Sequence, residues 1–100
     1  MDITVAQVTD IPPGEGRTFA VGSERIAVFH TRAGELFATQ AECPHAGGPL
    51  ADGLVGGNTV VCPLHSRKFD LRTGRSIEGE CDVKTYPVRR SEAGQVVVTL

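Results

Sequence analysis

The sequence predicts an all-β domain of short antiparallel strands. Short stretches rich in Val, Ile, Thr and Phe recur along the chain, Gly- and Pro-containing links of turn length separate them, and no stretch carries the apolar period of an amphipathic helix of useful length. One hundred residues make one domain, 1–100, large enough for a core and too small for a core plus a separate catalytic domain.

In chain order, Ile3-Thr-Val-Ala-Gln-Val8 has apolar side chains at 3, 5 and 8 and predicts a short strand with an irregular end. Asp10-Ile-Pro-Pro-Gly-Glu-Gly16 is expected as a surface loop, because its prolines remove donors and its glycines invite positive φ. The β-rich segments Arg17–Val21, Arg25–His30 and Glu35–Thr39 follow, joined by Gly22-Ser-Glu24 and Thr31-Arg-Ala-Gly34, which suit hairpin links. They predict a meander with Phe19, Val21, Ile26, Val28 and Leu36 facing the core, while the alternation is too short to decide Phe29 and Phe37.

From Ala41 to Gly57 the pattern dissolves into closely spaced Gly and Pro, so an ordered insertion or a flexible loop is expected there and no sheet element. Val60-Val61 and Arg67–Leu71 read as strands, the second ending at the Thr73-Gly74 turn. Asp82–Arg89, with Val83, Thr85 and Pro87 alternating, and Gln95–Leu100 predict a closing hairpin through Ser91-Glu-Ala-Gly94. Pro87 belongs at an edge or bulge, because it cannot donate to a ladder.

Chemistry concentrates in two boxes, Cys43-Pro-His45 and Cys62-Pro-Leu-His65. Each offers one thiolate and one imidazole, which together make a four-ligand metal site. Such a set suits tetrahedral zinc, or an iron–sulfur cluster whose cysteines hold one iron and whose histidines hold the other. A zinc finger usually takes two cysteines from one knuckle and two histidines from a helix, whereas here each loop contributes one of each.

The run Cys43-Pro-His-Ala-Gly-Gly-Pro-Leu50, the box Cys62–His65, Phe69-Asp-Leu-Arg-Thr-Gly74 and Tyr86-Pro87 resemble the Rieske [2Fe–2S] family, more weakly over nearly the whole chain. The resemblance implies a small sandwich or barrel-like base with two cluster-binding loops, within about 41–74, forming one tip. It implies one [2Fe–2S] cluster per chain, ligated by Cys43, His45, Cys62 and His65, with the reducible iron on the histidine side and the electron port near those imidazoles. Replacing two thiolates by imidazoles makes the site less negative and raises its potential above that of an all-cysteine cluster. Gly47 and Gly48 fit a backbone that approaches the cluster closely and donates N–H groups to it, and Pro44 and Pro63 stiffen the loops; ordinary loop punctuation is the bland alternative.

The high-potential respiratory members resemble this chain in the loops but carry an additional cysteine in each, which form a disulfide; here Gly48 and Leu64 stand in those places. Hydroxyl donors to the cluster in that branch are replaced by Arg67 and Phe69. Fewer donors stabilise the reduced form less, so a low-potential centre, below zero against hydrogen, is expected.

Net charge is −2, which gives no overall basic field to attract nucleic acid. No apolar run approaches the roughly 20 residues of a spanning helix, and the N-terminus lacks a secretory signal, so a cytoplasmic protein with no membrane partner is expected. Cys81, the third cysteine, has no intrachain partner, which fits a reducing compartment; it is expected half-buried at the start of a strand. His30 is expected to cap or flank a strand. Arg67, Lys68, Arg72 and Arg75 read as a solvated strand and turn, with a docking patch for an acidic partner as the alternative.

Phosphate-binding, nucleophile-elbow and dinucleotide motifs are absent, so the expected role is electron transfer with no catalytic site in the chain itself. The run from Cys43 to Gly53 and Thr85-Tyr-Pro-Val88 are similar to the small subunit of assimilatory NAD(P)H nitrite reductases, whose large partner holds flavin and siroheme; this role is preferred. The small size and intact ligands are equally similar to soluble ferredoxins that pass electrons from a reductase to a ring-hydroxylating dioxygenase. A structural zinc-binding interaction module is the third reading.

Overall fold

A computed structural model describes residues 1–44, 47–64, 66–77 and 81–100. Among the described residues, ten strands run in chain order: β1 (Asp2–Gln7), β2 (Glu15–Val21), β3 (Glu24–His30), β4 (Leu36–Gln40), β5 (Leu54–Gly56), β6 (Thr59–Val61), β7 (Lys68–Asp70), β8 (Thr85–Tyr86), β9 (Val88–Arg90) and β10 (Gln95–Thr99). They form three antiparallel sheets, ordered β1-β10-β9, β2-β3-β4-β8 and β5-β6-β7. The all-β class predicted from the sequence is the class observed.

Strand β3 divides the interior in two. It is paired on both sides, and every residue from Ile26 to His30 is buried. Successive side chains on a strand point to opposite faces. Ile26 and Val28 therefore join Val8, Ile11, Val21, Ala38, Tyr86, Val96 and Val98 in one core. Ala27 and Phe29 join Cys43, Leu50, Val60, Cys62, Phe69 and Leu71 in the other. A strand buried on both faces shows an apolar run in place of alternation, which is why Phe29 could not be assigned from pattern. Phe19 and Leu36 pack partly buried against the first core and Phe37 against the second.

Three segments differ from expectation. Residues 10–16 are not wholly a surface loop: Ile11 is fully buried, and Glu15-Gly16 already belong to β2. Ile11 fills the end of the first core, and its carbonyl faces Nδ1 of buried His30 at 2.7 Å, which accounts for His30 as the closing residue of β3. The Gly-rich stretch before Val60 contains β5, which pairs Leu54 with Val61 and Val55 with Val60 across a Gly57-Asn58 turn. Gly57 takes φ +57°, so the glycine read as a breaker is the residue that makes this hairpin.

The third difference is the segment Asp82–Arg89, which is two strands. β8 pairs with β4 and β9 with β10, and Pro87, lacking an N–H, sits where the chain steps from one sheet to the other. The inward residues are Val83 and Tyr86, not the alternating set Val83, Thr85 and Pro87. The hairpin of β9 and β10 closes through 91–94 as predicted. Cys81 is exposed and lies ahead of β8, not half-buried at a strand start; among the described residues between Ser76 and Lys84, only Val83 is buried. Asp82 fixes that connection by accepting the Ser76 N–H at 2.9 Å.

Tyr86 locks β8 to the start of β3. Its hydroxyl donates to Glu24 Oε2 at 2.7 Å, and Lys84 Nζ lies 4.9 Å from its ring centroid. Burial, then the Glu24 carboxylate, pushes the Tyr86 phenol up to about 12 from 10.0. A pKa raised on folding means that the folded state holds its proton more tightly, so this contribution is complete below pH 10 and lost as pH rises towards 12. Tyr86→Phe should cost about 1 kcal/mol at neutral pH. In denaturant titrations the gap between the two proteins should close across that alkaline window.

Candidate metal centre

The two cysteine loops are built alike. In the first, the Cys43 N–H donates to the Gly48 carbonyl at 2.7 Å; in the second, the Cys62 N–H donates to the Arg67 carbonyl at 2.7 Å. Each bond joins a cysteine to the residue five positions on, and each histidine box is enclosed between those ends. The residue four positions after each cysteine is left-handed in both loops: Gly47 at φ +71° and Ser66 at φ +55°. The first loop is tied again by Gly47 N–H to Cys43 O at 2.7 Å, Leu50 N–H to Ala41 O at 2.9 Å and a bridge between Glu42 and Pro49. The second is held by the ladder that pairs Val61 with Lys68.

Both cysteines are buried in the second core and both are free thiols. Their side chains lie close enough for Cys43 to influence the Cys62 thiol. Burial pushes the Cys62 thiol up, and the neighbouring Cys43 adds to the effect, whereas an N–H from Leu64 aimed at the sulfur pulls it back. Two desolvated sulfurs side by side cannot both ionise cheaply without a cation, and bound metal is what makes adjacent thiolates affordable. The donors described fit an iron–sulfur group: paired sulfurs, an apolar wall of Leu50, Val60, Phe69 and Leu71, and a backbone N–H directed at a sulfur.

Gly48 is a point of close approach between the loops. A Cβ there would stand 3.1 Å from Cys62 Sγ and 3.1 Å from Leu64 Cγ. A Cβ on its neighbour Gly47 would meet no described residue, and the left-handed φ is what calls for glycine there. The two glycines thus do different work, close approach at 48 and chain reversal at 47. Gly48 and Leu64, which stand where respiratory members carry their extra cysteines, are in contact distance of each other.

Of the four sequence-predicted ligands, the structure brings Cys43 and Cys62 together; His45 and His65 lie outside the described residues. Pro44 and Pro63 are exposed within their loops. Phe69 is core and Arg67 is the loop-closing acceptor. The basic run is split by the strand: Phe69 points inwards, Lys68 outwards, and Arg72 lies 3.9 Å from Asp70. Sequence reading missed Ser66, which carries no glycine to mark it; aligning the two boxes on their cysteines sets it opposite Gly47. It also missed Gln40, whose side chain donates to the Glu42 carbonyl at 2.8 Å and accepts the Lys84 N–H at 2.8 Å, tying the first loop to the 81–84 segment.

The chain belongs to the Rieske-like [2Fe-2S] domain family, whose model matches residues 3–99, and it is therefore an electron-transfer domain built around a Rieske-type [2Fe–2S] cluster. Among relatives, it is 36% identical over 89 residues to the ferredoxin component of the naphthalene 1,2-dioxygenase/salicylate 5-hydroxylase systems of a Ralstonia species, covering 87% of this chain and 85% of that protein. A solved structure assigned as the small subunit of an NADPH nitrite reductase is 25% identical, with a TM-score of 0.89 over 100% of this chain and 99% of that one. The ferredoxin of carbazole 1,9a-dioxygenase from Nocardioides aromaticivorans IC177 is also 25% identical, with a TM-score of 0.88 over 99% and 97%. No helix among the described residues is long and apolar enough to cross a membrane.

Two outcomes test this geometry. Gly48→Ala should cost about 1–3 kcal/mol of overpacking, because the sulfur in its way is anchored; lower iron and acid-labile sulfide per chain would report it. At the left-handed positions the effects should be opposite, with Gly47→Ala losing and Ser66→Gly gaining about 1 kcal/mol in denaturant titrations.

Proposed function

We propose that the chain is a diffusing one-electron carrier of the ring-hydroxylating dioxygenase type, with the cluster ligated by Cys43 and Cys62 on one iron and His45 and His65 on the other. The observation that carries this is the pair of equivalent loops with their two sulfurs together, in a chain 36% identical to a dioxygenase ferredoxin along most of both lengths. When bound, the cluster supplies a single reversible electron. The protein's part is to hold the thiolates, direct the Leu64 N–H at Cys62 and exclude water with Leu50, Val60, Phe69 and Leu71. The whole chain, 1–100, acts as one domain, with cluster loops within 41–74.

The nitrite reductase small-subunit role, the one the sequence motifs favour, is supported by the backbone match of TM-score 0.89 to an assigned small subunit at 25% identity. The two roles separate on partner behaviour. Affinity capture from the native host with cluster-loaded protein should retain no stable partner if the chain is a ferredoxin; co-purification of a large siroheme and flavin protein would establish the subunit role instead.

The ligand set has its own test. Cys43→Ser, His45→Ala, Cys62→Ser and His65→Ala should each abolish stoichiometric iron and sulfide and the red-brown colour. A colourless wild type that binds zinc and lacks sulfide would replace the cluster by a structural metal. With few donors to the sulfurs, the midpoint in a potentiometric titration should lie below zero against hydrogen, and a clearly positive value would refute the low-potential assignment.

A further inference from the structure

The sheet β5-β6-β7 turns one face to the second core and the other to solvent. Inward are Val55, Val60 and Phe69, matched across the strands. Outward, in the next row of the register, are Leu54, Val61 and Lys68. The row continues beyond β7, because the Ile77 N–H donates to the Lys68 carbonyl at 2.9 Å and Ser76 bridges Phe69, which sets Ile77 opposite Lys68. Leu54 is 77% exposed and Ile77 is 56% exposed, a large apolar display for such a small protein. Adjacent strands lie about 4.8 Å apart, so the row of four is about 14 Å long.

This row crosses the neck of the second cysteine loop. Val61 is the residue before Cys62, and Lys68 follows Arg67, the acceptor that closes the loop. A protein seated on the row therefore covers the strand ends from which the metal centre projects. Leu64, on that same loop, is also exposed, at 45%. The next row carries charge: Arg75 stands opposite Asp70 in the backbone register and is exposed, and exposed Arg72 lies 3.9 Å from the Asp70 carboxylate.

We propose that the outer face of β5-β6-β7, anchored by Leu54 and Ile77, is the surface on which the chain receives its redox partner, a protein presenting an apolar patch with carboxylates placed for Arg72 and Arg75. The inference rests on the ferredoxin reading above. A few side chains along 14 Å fall far short of the roughly 800 Å² that each side gives up in a stable interface. That argues against a second copy of this chain as a lasting occupant and suits the small, short-lived contact of an electron carrier. Charge complementarity then governs encounter rate more than affinity.

The test uses cluster-loaded full chain with the purified reductase and oxygenase components of the Ralstonia naphthalene system, following cluster absorption by stopped flow. Leu54→Ser with Ile77→Ser should lower the second-order rate constant of electron transfer with at least one component by about tenfold. Arg75→Glu should lower it further and weaken its dependence on salt. Leu100→Ser, 43% exposed beside β1 in the other sheet, should change it by less than about twofold. Unchanged visible absorption and direct reduction by dithionite establish that the variants keep their cluster. A wild type reactive with the components, whose rate the paired substitutions leave unmoved, overturns the surface alone. A wild type that dithionite reduces but neither component does overturns the ferredoxin reading, and the surface with it.

Discussion

Everything in the second core is arranged around two thiols that must lie together out of water. An isolated pair of buried thiols gains little from such proximity, and ionising both in a low-dielectric interior is unfavourable. The arrangement becomes sensible only with a cation between or beside the sulfurs. The protein invests in it heavily: two loops pinned at their necks, a missing side chain at Gly48 where the loops meet, and a wall of Leu50, Val60, Phe69 and Leu71.

Placing that site on a small base requires two cores that share one strand. β3 supplies Ala27 and Phe29 to the cysteine side and Ile26 and Val28 to the opposite side. The sheet β1-β10-β9 gives the base its far core without contributing to the cysteine loops, while β5-β6-β7 carries the second loop directly. The cysteine side is thus tied to the rest of the base through β3, the strand that contributes to both cores.

Much of this was legible in the sequence, and the failures have physical reasons. Cys43 and Cys62 were marked by their boxes, and the meander by its hairpin links. Phe29 was ambiguous because both faces of β3 are buried. β5 was hidden because Leu54-Val55 is too short to show a period between glycines, and Ile11 because its proline neighbours signal a loop while saying nothing of what lies beneath it. Pro87 was expected at an edge or bulge of a single strand, but it separates two strands that belong to different sheets, a tertiary fact that no local pattern encodes. Ser66 escaped because strain at a left-handed residue is visible only when the residue is glycine.

The matched closure of the two cysteine loops has a consequence for how such a site varies. The neck fixes the number of residues between a cysteine and its closing carbonyl, and the left-handed residue fixes the exit, but neither dictates which enclosed position carries the imidazole. In the sequence the histidine is the second residue after the cysteine in the first loop and the third in the second. The frame is conserved within one chain while its cargo slides by a residue. A scaffold of this kind can exchange donor type, or dispense with donors altogether, and still close its loops and keep its shape.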